Sequence, residues 1–343
     1  MSRASSRAAK KTTPAGTNGL AARSAPTFKV ALIVKRSAYR VQVEERKNGR
    51  IQRLLAAHDP TVAHLRAAHE EHEATVREVK AALAVLGVEV AFSGSVGEAF
   101  DARGLDLVIT VGGDGTLLSA SHSVADVPIL GINSAPGYSV GFFCGARRGD
   151  AALAISRALH GELRRAVLTR MQVCVNGHVV AARVLNDALF CHVSPAATSR
   201  YIVRLGGIEE EQKSSGFWIG PAAGSTAAQR SAGGRVIALT SKRLQLVVRE
   251  PYTPHGERYR LRHALIPPGT PLVVRSKMTD AKLFIDGPNR TIDVGVGDLL
   301  EFTQANEDLT VLGIAPTRRW GVDHDEPAPH VPRRAARRDD HAR

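Results

Sequence analysis

The hydrophobic period changes once along this chain, and that change limits the folds open to it. From Phe28 to about Leu168, continuous apolar runs alternate with helix-like stretches. Beyond residue 169, short alternating segments follow one another with Gly and Pro between them. "FKVALIV" (28–34) is apolar almost throughout, as a strand buried on both faces must be. A helical stretch follows in which Val76, Val79, Leu83 and Leu86 recur at helical spacing, with Gly87 where a C-terminal cap belongs. "VEVAF" (88–92), "DLVITV" (106–111) and "VPILGIN" (127–133) supply further short strands. Strands alternating with helices predict a Rossmann-like α/β domain on a parallel sheet.

The second half predicts an all-β, sandwich-like domain. "MQVCVNGHVVAARVL" alternates around Asn176-Gly177, a strong two-residue hairpin signal. "RYIVRLGGIEE", "RLQLVVRE", "TPLVVRS", "KLFIDG" and "TIDVGVGDLLEF" continue the pattern. The expected organisation is an α/β domain over 28–168 and a β-rich domain over 169–304, between charged tails at 1–27 and 317–343 that are expected to be disordered.

Charge narrows the choice of partners. The formal net charge is +13, but residues 1–27 hold five Lys or Arg with no acid, and 317–343 hold seven Arg against five Asp or Glu. What remains between the tails is a modest excess, suited to polyanionic small molecules, and no nucleic-acid reading motif accompanies it. No apolar run approaches the roughly 18 residues of a membrane span. The three cysteines, Cys144, Cys174 and Cys191, have no CxxC spacing, which argues against a disulfide framework or a zinc site. His69 and His72 lie among Glu70, Glu71 and Glu73 and read as a solvated helix face. The expected location is the cytoplasm, or the mitochondrial matrix should residues 1–27 serve as a transit peptide.

Three motifs carry chemistry. Gly112-Gly113-Asp114-Gly115-Thr116 follows "DLVITV" and precedes the helical "LLSASHSVA". It therefore sits outside the carboxyl end of a strand, where α/β sheets bind ligands. Glycines let backbone N–H groups approach phosphate oxygens, and a helix N-terminus adds partial positive charge. Asp114 repels phosphate, but suits a general base or a partner of a Mg²⁺–nucleotide complex. No Gly-Lys-Ser/Thr follows, so this is not a P-loop. In "LNDALF", Asn186 and Asp187 set an amide beside a carboxylate, able to grip ribose hydroxyls or to form a plain turn. "GPAAGSTAAQRSAGG" (220–234) is dense in small residues, Gly224, Ser225, Thr226, Ala227 and Ser231 among them, and lets a flat ligand lie near the backbone.

Strand–GGDGT–helix, then "GIN" (131–133), then Asn-Asp, then "GSTA…SAGG" resembles the NAD kinase family over roughly residues 28–316. "VKRSAYR" (34–40), "GINSAPGYSVGFFC" (131–144), "LND" followed by "TSRYIV", and "EQKSSG" (211–216) look like its mitochondrial-type branch and bacterial relatives. The resemblance implies ATP-dependent phosphorylation, with ATP or polyphosphate as donor and Mg²⁺ alongside, of the adenosine-ribose 2′-hydroxyl of NAD. It implies that Asp114 activates that hydroxyl. Gly112, Gly113, Gly115, Thr116 and Asn133 would meet the nucleotides. Asn186 and Asp187 would hold the ribose, while Thr226, Ala227 and Ser231 would cradle NAD. Asp286-Gly287 matches a late Asp-Gly of lesser role, and Lys35 and Arg36 are candidate contacts to the donor phosphates. No metal site made of protein ligands is implied. The family also implies a homo-oligomer and a late segment, 305–316 with "LTVLGIA", returning to the first domain. The chain departs from the family at Ser215, at Pro221-Ala222-Ala223 and at Ala228. Two rivals stay open: a lipid kinase sharing GGDGT, and a non-catalytic dinucleotide sensor.

Overall fold

The computed structural model describes residues 28–253 and 258–318. The expectations for residues 1–27 and for 319–343 lie outside them. Four parallel strands open the chain: β1 (Lys29–Val34), β2 (Glu89–Ser95), β3 (Leu107–Gly112) and β4 (Ile129–Asn133), ordered β2-β1-β3-β4. A short β5 (Cys144–Arg147) also pairs in parallel with β4, and β6 (Arg165–Leu168) lies at the far edge of the sheet.

Helix α1 (Gly49–Ala56) begins where Asn48 accepts hydrogen bonds from the N–H groups of Arg50 and Ile51. Helices α2 (His64–Val85) and α4 (Ala151–Leu159) cover one face of the sheet. There Val30, Leu32, Leu107 and Ile109 pack with Val76, Val79, Leu83, Ala154 and Ile155. The other face buries Ala31, Ile33 and Val108 under α3 (Asp114–Ser121). Covering both faces explains why β1 and β3 are apolar at nearly every position.

Two expectations on α2 fail. Leu86 does not continue the buried stripe: it is 37% exposed, because the helix stops at Val85 and Gly87 turns the chain at φ +63°. His69 and His72 do not form a solvated face. His72 is 2% exposed and shares a 2.8 Å hydrogen bond with Ser134 Oγ, while His69 stacks on Tyr39 and bonds Ser37 Oγ. The glutamates between them point outward, and the loops after β1 and β4 cover the two imidazoles.

Twelve antiparallel strands make a sandwich. In chain order they are β7 (Met171–Val175), β8 (His178–Val184), β9 (Ala188–His192), β10 (Ser199–Leu205), β11 (Ile208–Ser214), β12 (Phe217–Gly220), β13 (Leu244–Val248), β14 (His263–Ile266), β15 (Leu272–Ser276), β16 (Ala281–Ile285), β17 (Arg290–Val294) and β18 (Leu299–Gln304). One sheet runs β11-β10-β15-β18-β7-β8 and the other β14-β13-β12-β9-β16-β17. Asn176 and Gly177 both take positive φ, 51° and 81°, so the β7–β8 hairpin closes through the predicted two-residue turn. Between the sheets Phe190, Tyr201, Phe217 and Phe302 meet edge-to-face at 5.2–6.0 Å, inside an aliphatic core fed by both layers.

The chain then re-enters the first sheet as β19 (Leu309–Leu312), parallel to β4 and antiparallel to β6. Its passage is close: a Cβ on Gly145 would lie 2.2 Å from the Leu312 carbonyl oxygen. Arg170, just before β7, is wholly buried and ties these parts together. Its guanidinium donates to the carbonyls of Ser121 and Val124 at 3.2 and 2.7 Å and of Ala125 at 3.1 Å, beyond the C-terminal end of α3. It also donates to the carbonyls of Glu307 and Asp308, on the approach to β19. Burial, with Arg183 nearby, pushes its pKa down to about 10, which leaves it charged at neutral pH. Arg170→Met would strand these carbonyls, so we expect unfolding stability to fall by at least about 3 kcal/mol. The urea midpoint measures this, and an unchanged midpoint would contradict the assignment.

Candidate active site

The order β2-β1-β3-β4 reverses direction between β1 and β3, and the crevice outside their carboxyl ends is the switch point of the sheet. The glycine turn emerges there. Gly112 ends β3 and pairs with Asn133, the last residue of β4. Lys35 follows β1, donates its N–H to the Val111 carbonyl at 2.9 Å, and is exposed. A Cβ on Gly112 would stand 2.1 Å from Thr116 Oγ1 and 3.0 Å from Lys35 Cβ, and one on Gly113 would stand 2.3 Å from Ser139 Oγ. These glycines are therefore required by the protein's own packing. Gly115 instead faces open space, with no atom within 4 Å of where its Cβ would be. Thr116 is buried at 3% exposure. The first-turn amides of α3, which lack intrahelical acceptors, give this end of the helix its partial positive charge.

Asp114 is the first residue of α3, and both of its carboxylate oxygens are engaged. Oδ2 accepts from the Phe142 N–H at 2.9 Å and Oδ1 from the Phe143 N–H at 2.7 Å. Those amides end the long loop between β4 and β5. Asn133 braces its start, donating from Nδ2 to the Ser139 carbonyl at 2.9 Å and accepting from the Ala135 N–H. Gly141, at φ +63°, passes so close that a Cβ would lie 2.5 Å from Asn133 Nδ2. The two bonds fix the carboxylate yet use one lone pair on each oxygen, leaving room to accept a hydroxyl proton. Behind it, burial and the Asp114 charge push the Cys144 thiol well above its ordinary range, so it stays protonated and inert.

Asn186 and Asp187 lie between β8 and β9, where a second carboxylate holds their backbone. Asp286 Oδ1 accepts from the N–H groups of Asn186 and Asp187 at 2.7 and 3.1 Å, and Oδ2 from that of Leu185 at 3.0 Å. Asp286 adopts φ +48°, and its own N–H returns to the Asp187 carbonyl at 2.9 Å. Asn186 Nδ2 donates to Asp187 Oδ2 at 3.0 Å. Asp187 is 3% exposed, and burial, followed by the Asp286 charge, pushes its pKa up to about 7.

The small-residue segment is used differently from its sequence reading. A Cβ on Gly224 would stand 1.7 Å from the Asn186 carbonyl oxygen, and one on Gly220 would stand 2.4 Å from it. Smallness at these positions admits the protein's own backbone, and Ser225 Oγ turns inward to accept the Ile237 N–H. Thr226 ends a 3-10 turn (Ala222–Thr226) and is half-buried; Ala227 and Ser231, flanking and ending α5 (Ala228–Ser231), are exposed. The departures at Ala222 and Ala223 lie in the interior, at 1% and 2% exposure. Of the two suggested phosphate contacts, Arg36 is engaged by Glu45 and only Lys35 faces the turn.

These motifs converge. Leu117 and Leu118 of α3, Phe142 and Phe143 of the loop, Leu185 beside Asn186, and Ala223 beside Gly224 belong to one hydrophobic cluster spanning both halves of the chain. Sequence reasoning missed the Phe142 and Phe143 amides, the Asp286 clamp, Arg170, and the buried Gln229–Gln245 pair at 2.9 Å. Only Asp286, an aspartate between a strand and Gly287, left a local trace.

Comparison with known proteins agrees with this arrangement. Residues 28–163 match the model of the ATP-NAD kinase N-terminal domain. A "Probable NADH kinase" of Oryza sativa subsp. japonica is 34% identical over 61% of this chain and 71% of its own length. The chain belongs to the NAD kinase family. An NADH kinase of Arabidopsis thaliana is 34% identical over 62% of the chain and 73% of its own length. An NAD kinase of Syntrophotalea carbinolica is 30% identical over 63% of the chain and 75% of its length. The fold also matches a yeast NADH kinase complexed with NADH, with TM-score 0.59, 15% identity, and 84% of each chain covered. An NAD kinase from Archaeoglobus fulgidus in complex with ATP gives TM-score 0.58 at 18% identity, over 82% of this chain and 92% of that one.

The Asp187 shift has a measurable consequence in this member of the NAD kinase family. Its raised pKa means that the native state keeps a proton which the unfolded chain releases between about pH 4 and pH 7. The associated stability is full below that window and is lost as pH rises through it. Asp187→Asn should flatten the dependence of the urea midpoint between pH 4 and pH 7 and equal or exceed the parent above it. Equal slopes in both proteins would contradict the buried position of the carboxyl.

Proposed function

We propose that this chain transfers the γ-phosphoryl group of ATP to the 2′-hydroxyl of the adenosine ribose of NAD or NADH, giving NADP or NADPH. One observation carries the reading: the carboxylate of Asp114 and the Asn186–Asp187 pair are mounted on a single cluster between the two halves of a NAD kinase family member. The 2′-oxygen attacks the γ-phosphorus, the bond to the β-γ bridging oxygen breaks, ADP leaves, and the hydroxyl proton passes to Asp114. Asn186 and Asp187 hold the ribose hydroxyls. Lys35 and the open turn at Gly115 face the donor phosphates, where the helix N-terminus favours negative charge. Thr226, Ala227 and Ser231 border the dinucleotide.

Among the described residues, no group of three His, Cys, Asp or Glu is placed to hold a metal ion. That donor set fits a Mg²⁺ carried by the nucleotide, bound by phosphate oxygens and water with Asp114 as the nearby carboxylate. Bound there, the ion would neutralise charge on the donor phosphates. The family resemblance further supports a homo-oligomer that works in the cytoplasm. A lipid kinase would give Asn186, Asp187 and their Asp286 clamp nothing to do.

Asp114→Asn tests the base directly. The amide keeps the shape but loses the charge and one acceptor, so we expect NADP formation to fall by about 10²–10⁴-fold with the fold retained. Turnover near that of the parent, with either NAD or NADH as acceptor, would remove Asp114 from the role.

A further inference from the structure

His122 closes α3, the helix that Asp114 opens, and its ring touches the opposite half of the chain. Arg290 NH1 lies 3.0 Å from His122 Nδ1. A guanidinium only donates, so Nδ1 carries the lone pair and Nε2 carries the hydrogen. Nε2 lies 3.1 Å from Asp286 Oδ2 and donates to it. That same oxygen accepts from the Leu185 N–H, and its twin accepts from Asn186 and Asp187. The His122 carbonyl meanwhile accepts from Arg183 NH1 at 3.1 Å, and Arg290 is steadied by the Val180 carbonyl. An unbroken run of bonds thus leads from the C-terminal end of α3, through one imidazole, to the backbone of the Asn186–Asp187 pair.

We infer that His122 is a positioning residue, which sets the Asn186–Asp187 pair at a fixed separation from Asp114. Helix α3 is the strut, eight residues and about 12 Å long, with Asp114 at one end and His122 at the other. The imidazole has 18% of its side chain exposed, and the Asp286 side chain has 2%, so water competes poorly for the bond between them. The inference rests on the phosphotransfer reading for its effect on turnover, but its effect on dinucleotide binding stands apart from any chemistry.

The test compares His122→Leu, which removes the donor, with His122→Gln, whose amide can donate from nearly the same place. Binding of NAD and NADH is followed by calorimetry, with kcat, the KM for ATP and the melting temperature measured alongside. We expect His122→Leu to weaken dinucleotide binding by about tenfold or more, as befits a lost hydrogen bond to a carboxylate, and to lower kcat. The KM for ATP should stay within about twofold, and His122→Gln should recover most of both losses. Arg290→Leu, at an exposed position, frees the imidazole to change tautomer and should weaken dinucleotide binding several-fold even if the leucine variant at 122 fails to fold. Parent-like dinucleotide affinity in His122→Leu or in Arg290→Leu would overturn the inference, as would an equal loss for ATP and dinucleotide. If the parent forms no NADP, the phosphotransfer reading fails while the binding comparison still decides the role of His122.

Discussion

Helix α3 is gripped at both ends by groups from outside it, and the site takes its geometry from that grip. At its start the Asp114 carboxylate meets the Phe142 and Phe143 amides; past its end the Arg170 guanidinium meets the Ser121, Val124 and Ala125 carbonyls. Each charge has the sign that the helix dipole favours at that end. Because Arg170 also binds the approach to β19, the helix cannot shift without disturbing the β-rich half. A short helix with two polar anchors and an apolar flank of Leu117 and Leu118 becomes a rigid mount for one carboxylate.

Glycine and other small residues around the site serve two purposes that look alike in sequence. At Gly112, Gly113, Gly220 and Gly224 a side chain would strike neighbouring protein atoms, so their smallness is consumed by folding. At Gly115, Ala227 and Ser231 the surface is open. A ligand is thus directed to a narrower strip than the two glycine-rich motifs suggest. It runs from Lys35 and Gly115 on one side to Asp187 and Ser231 on the other.

Local pattern carried much of the architecture. The β1, β3 and β4 runs, the Asn176-Gly177 hairpin and the position of Asp114 between strand and helix are all set by near neighbours, so periodicity and turn chemistry reveal them. What escaped depends on distant partners. His72 sits among glutamates, and only the loop carrying Ser134 makes it a buried residue. Arg170 looks like any surface arginine until α3 and residues 307–308 close over it. The Asp286 clamp joins residues about one hundred positions apart, and no window of sequence contains both sides of that bond.

The central claim is that this site directs a phosphoryl group to one hydroxyl of a dinucleotide. Phosphorus NMR of the product formed from ATP, Mg²⁺ and NAD by the full chain examines it most directly. The account predicts a new phosphomonoester coupled to the adenosine ribose at C2′. An unmodified dinucleotide, or a phosphate at any other position, would contradict it.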